Sequence, residues 1–210
     1  MKILFILFLS FLSTHFTHAD TFISGKKTKK ILVKGPARLT NVKASSVTVD
    51  GTLAFNNLDV VGDVTITKLV RDDSQNLKCR HLVSGKSMTA NNLKCESALI
   101  CGSACLENFE VSGDTIIKGD TKIKNGKIQN LNLFSNEIHL QNVNVNDIII
   151  EKPRLPFTNQ ILYLKGKTLV AGSINFKSDQ GTIFMDKDAI VNGEINGAVV
   201  NKEGAIVSKE

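Results

Sequence analysis

The side chains with most chemistry to offer are four cysteines, Cys79, Cys95, Cys101 and Cys105, grouped within 27 residues of a 210-residue chain. An even number of thiols allows a disulfide framework with three possible pairings, or a set of reduced thiols packed as small apolar groups. Their spacings of 16, 6 and 4 lack the close pairs of a zinc ribbon, and only His81 is near them, so no metal site is expected. The carboxylate pairs Asp72 with Asp73 and Asp186 with Asp188 have the chemistry for calcium binding or glycoside cleavage, but they equally suit solvated turns. Glu137 and His139 share one strand face without a third partner. Phosphate-loop, HExxH and GxSxG patterns are absent, so no catalytic residue and no cofactor is expected.

The elements that carry these residues repeat. A phrase of Asn, apolar, polar, apolar starts at Asn41, Asn57, Asn76, Asn92, Asn108, Asn130 and Asn142, at intervals of 16, 19, 16, 16, 22 and 12. Its period of two is that of a strand, and helical spacing of apolar residues does not recur. A second alternating stretch follows within the unit, for example Val47 with Val49, Val64 with Ile66, and Leu99 with Cys101. Short strands at a period near 16 to 17 predict an all-β chain folded as a β-solenoid (β-helix), each unit one coil; the alternative is an antiparallel sandwich. Stacked coils would place Leu58, Leu77, Leu93, Phe109, Leu131 and Val143 in one inward column. Val60, Cys79, Cys95, Val111, Leu133 and Val145 would form another, which stacks Cys79 on Cys95 at a separation that a disulfide accepts. The abundance of Asn, 19 residues, fits coil corners, because Asn tolerates a left-handed backbone and its amides can bond coil to coil.

Composition agrees with a packed body. With 42% hydrophobic residues, 15 Gly and 3 Pro the chain is neither collagen-like nor disordered. Met1 and Lys2, the apolar run Ile3 to Leu12 and the small residue Ala19 form the pattern of a secretory signal peptide over 1–19, too short to span a bilayer. No later segment reaches transmembrane length, so the expectation is an exported protein, periplasmic or extracellular. Residues 20–38 hold Lys26, Lys27, Lys29, Lys30, Lys34 and Arg38 against Asp20, whereas 39–210 are electrically neutral. This predicts a basic N-terminal arm able to attract an anionic surface, ahead of solenoid repeats over 39–152. Pro153 and Pro156 interrupt the pattern and mark a C-terminal β module, 153–210, that continues or caps the stack.

The alternation of apolar residues with Gly and Asn turns, most evident in IVNGEINGAVV at 190–200, resembles bacterial β-solenoid proteins such as bactofilins and autotransporter passengers. The resemblance implies an architecture. The reading that follows is an exported, non-catalytic structural or adhesive protein binding a cell-surface polymer or a protein partner, not nucleic acid. A self-associating scaffold, joined through unpaired end coils, is one alternative. A polysaccharide-active β-helix enzyme is another, although no Asp, Lys and Arg cluster recurs at equivalent coil positions.

Overall fold

The computed structural model describes residues 21–153 and 159–202. The expected signal peptide and Pro156 lie outside the described residues. Twenty-one strands form one sheet that winds into a β-solenoid of about 10 turns, with no helix among the described residues. The strands pair in parallel with their equivalents in the neighbouring coils, which excludes the antiparallel sandwich.

The second coil shows how the sequence makes three sides. Along Ala37–Asp50 the buried residues are Ala37 and Leu39, then Val42 and Ala44, then Val47 and Val49. Between each pair two successive residues face outward, so the strand changes direction while keeping its apolar residues inside. The first corner is Asn41 with φ 52°, in the left-handed region. The same conformation recurs at Asn57, Asn76, Asn92, Asn108, Asn125 and Asn142, and at Gly25 and Gly166 in the first and ninth coils. Six of the seven expected repeat-start asparagines are therefore corner residues. Asn130 is not: it lies within the strand Lys127–Leu133, and Asn125 holds the corner of that coil.

The corner side chains bond along the axis. Nδ2 of Asn57, Asn76 and Asn92 each donates to Oδ1 of the corner asparagine one coil before, at 2.9 Å. Asn108 donates instead to Asn91, and Asn142 to Asn125 at 3.3 Å. Each bond contributes on the order of 1 kcal/mol and fixes the coil register.

The inward columns follow from that register. One runs Val42, Leu58, Leu77, Leu93, Phe109, Gly126, Val143; another runs Ala44, Val60, Cys79, Cys95, Val111, Ile128, Val145. Leu131 and Leu133 belong to the third side, stacked with Thr115 and Ile117, which corrects the column expected from an Asn130 start. On that side Ala98 and Ile100 point in, while Leu99 is half-buried on the outer surface and Cys101 is exposed.

Both ends of the chain belong to the same stack. Residues Thr21–Ser24 and Lys27–Lys34 pair with the second coil and bury Ile31 and Val33, so the basic stretch is the first coil and not a separate arm. After the proline segment, Gln160–Lys165 pairs with Glu137–Gln141, and the coils run on to Lys202 without a boundary. Gln160 closes the core beside that insertion. Its buried Nε2 donates to the carbonyls of Ser135 (3.1 Å) and Glu151 (2.7 Å), and its Oε1 accepts from Ser178 (2.8 Å).

Phe109 is fully buried, whereas Phe184 is 41% exposed. Phe109→Ala is expected to cost about 3–5 kcal/mol in urea unfolding, and Phe184→Ala under about 1.5 kcal/mol.

Candidate binding groove

Outward side chains inherit the same register and form columns along the rod. On the first side, one column runs Thr89, Cys105, Lys122, His139, Tyr163, Phe184. Its neighbour runs Asn91, Glu107, Lys124, Gln141, Lys165. Between them lies a groove of about 630 Å³, with Asp72 at one end and His139 and Lys165 at the other.

An irregularity in the fourth coil forms the wall at the Asp72 end. Val70 pairs with Leu53 and Gln75 with Asn56, so two extra residues bulge from the strand Val70–Lys78. Ser74 keeps the break satisfied by accepting the Phe55 amide at 3.3 Å. The bulge projects Arg71, Asp72 and Asp73; Arg38 Nη2 holds Asp73 at 2.6 Å and Arg71 Nε lies 3.6 Å from it. Slight burial raises the Asp73 carboxyl, but the Arg38 hydrogen bond and the charges of Arg38 and Arg71 outweigh it and hold the group below its ordinary value.

The far wall is aromatic. His139 stacks on Tyr163 at 4.4 Å between ring centroids, and Tyr163 on Phe184 at 5.2 Å, with planes within 15°. Rings stacked coil on coil offer their edges to solvent, so this ladder ties three coils together and is not a platform for a sugar face. Glu137 Oε1 lies 2.6 Å from His139 Nε2, and that hydrogen bond lowers the Glu137 pKa. Lys165 Nζ sits 5.4 Å from the Tyr163 ring centre, and Lys124 pairs with Glu107 at 3.3 Å. Lys122 makes no ion pair among the described residues and adds a favourable charge to Glu137.

The four cysteines separate into two kinds of site, all as free thiols. Cys79 and Cys95 are buried neighbours in one inward column, as their equivalent places in the NLKC phrases predict. The Cys95 hydrogen bond and burial both push the Cys79 thiol well above its ordinary value, so it stays protonated. Cys105 opens on the groove and Cys101 on the third side, where neither faces the other. Asp186 accepts the amide of Gly166, one coil before it, at 2.7 Å. Among the described residues no three His, Cys, Asp or Glu side chains converge on a point that could hold a metal ion, and no helix could cross a membrane.

Sequence reading missed the groove because its lining residues are 16 to 24 positions apart. Only knowledge of the register brings Lys122 beside His139. No family model, curated protein or solved structure matches the chain.

Two outcomes check the site. In the native protein a bulky maleimide should label Cys101 and Cys105 rapidly, with Cys79 and Cys95 reacting only after denaturation; four equally fast thiols would contradict the columns. A carboxyl titration by NMR should place Glu137 below the ordinary 4.5, rising towards that value in His139→Ala. Because the folded pKa is depressed, the pair's contribution is present above the unfolded value and is lost as pH falls through the folded one.

Proposed function

We propose that this chain is an exported, non-catalytic structural or adhesive rod that binds a polyhydroxylated, acidic surface polymer along its first side. The observation that carries the reading is the pair of parallel columns lining the groove. They present amides (Asn91, Gln141), a hydroxyl (Thr89) and cations (Lys122, Lys165) over successive coils, in a line that suits an extended ligand. Coils about 4.8 Å apart repeat such groups regularly, as a polymer repeats its hydroxyls and carboxylates. The leader-like sequence of residues 1–19 supports passage across a membrane.

Binding is expected to draw on many weak contacts, with Lys122 and Lys165 contributing most because hydrogen bonds to charged groups are the stronger kind. The full chain, titrated by calorimetry against a panel of uronic-acid and neutral glycans, should bind acidic polymers. Lys122→Ala with Lys165→Ala should weaken that binding at least tenfold and leave the unfolding free energy within about 0.5 kcal/mol of wild type. Failure to bind any acidic polymer would refute the reading. Release of new reducing ends on incubation would replace it with the enzyme reading.

A further inference from the structure

The charge left over by the solenoid body sits at one end of the rod. The first coil carries Lys26, Lys27, Lys29, Lys30 and Lys34, all exposed. Further along, several outward cations pair with a carboxylate of an adjacent coil: Lys43 with Asp59 at 3.5 Å, Arg80 with Asp63 at 3.4 Å, Lys94 with Glu110 at 2.8 Å. Among the described residues none of the five first-coil lysines makes an ion pair, and Lys27 lies in register over another cation, Lys43. Like charges on neighbouring strands are unfavourable, and nothing in the stack requires them there.

Two large apolar side chains share this coil. Phe22 projects from the first side and Leu32 from the third, each 62% exposed, in register with Arg38 and Thr48. Lys27 lies on the second side, and Lys30 and Lys34 flank Leu32, so cations and apolar groups surround the end of the rod.

We propose that this end docks on an anionic lipid surface, with the lysines among the headgroups and Phe22 and Leu32 at the headgroup and acyl boundary. The lysines alone would suit any polyanion. Phe22 and Leu32 select a lipid surface, because burying them there removes apolar area from water, which a hydrated polymer or nucleic acid does not do. A lysine near an anionic membrane contributes favourably and is screened by salt. The site lies on the first coil, away from the groove, and stands independently of the polymer reading.

The test is sedimentation of the full chain with vesicles of phosphatidylcholine alone and with a phosphatidylglycerol fraction, at low and high salt. A heparin column serves as the soluble polyanion. Stronger binding to the anionic vesicles is expected, falling with salt. Because the variants keep residues 1–20, any difference between them and wild type reports the first coil. Replacing Lys27, Lys29, Lys30 and Lys34 with Gln should reduce vesicle binding at least tenfold. Phe22→Ser with Leu32→Ser should also reduce it, while heparin retention stays unchanged; circular dichroism confirms that both variants fold. Equal binding to the two vesicle types, or vesicle binding insensitive to Phe22→Ser with Leu32→Ser, would overturn the proposal.

Discussion

The register of this rod turns on one corner of each of the first nine coils, where a single backbone residue takes the left-handed conformation. A strand alternates its side chains strictly, so a continuous strand turning a corner would carry apolar residues to the outside. At Asn41 and its equivalents the left-handed residue lets two outward positions follow one another, and Leu39 and Val42 both stay buried. Asn pays less than other side-chain-bearing residues for this geometry, and its amide bonds to the coil before. The core columns, the outward columns and the groove are consequences of that register.

The same constraint explains what was legible in the sequence. Where the corner Asn is followed by an apolar residue, as in NLDV at 57 and NLKC at 76 and 92, the repeat is plain. At Asn125 it is hidden, because the next residue is Gly126. Phe109 and Val143 occupy the column on either side, and a Cβ at Gly126 would lie 3.0 Å from Ile123 Cγ2, so the inward place has little room. NLNL at 130 then imitates the signal from the third side, with Leu131 and Leu133 pointing in. The first and ninth coils were obscured for a related reason: Gly25 and Gly166 replace the corner asparagine, and lysines and a proline-bearing insertion dilute the alternation around them.

Surface chemistry was less legible than the core. A buried apolar column leaves a mark in each repeat, because every coil must supply one residue to it. An outward column is free to change type from coil to coil, as Cys105, Lys122, His139 and Tyr163 do. The bulge at Arg71 to Ser74 could be read as extra length, yet only the fold shows it setting Asp72 at one end of a groove. Of the three residues that lengthen the interval from Asn57 to Asn76, two lie in the bulge, and the third lengthens the corner around Gly62, where four positions separate Val60 from Val64 against three from Ala44 to Val47. Charge behaves in the opposite way: the basic excess of the first coil was visible in composition, and the structure changed its meaning by turning an arm into the end of a stack.

The assignment of the corner can be tested at the one coil where sequence and structure disagree. Urea unfolding of Asn125→Ala and Asn130→Ala compares a left-handed corner with a strand residue whose amide donates to Asp114 at 2.9 Å. Forcing Ala into the left-handed region and losing the axial amide should cost about 2–3 kcal/mol at Asn125, against about 1 kcal/mol or less at Asn130. Asn125→Gly should recover most of the difference, since Gly accepts the backbone and loses only the amide. An equal loss at the two positions, or a larger one at Asn130, would contradict the account.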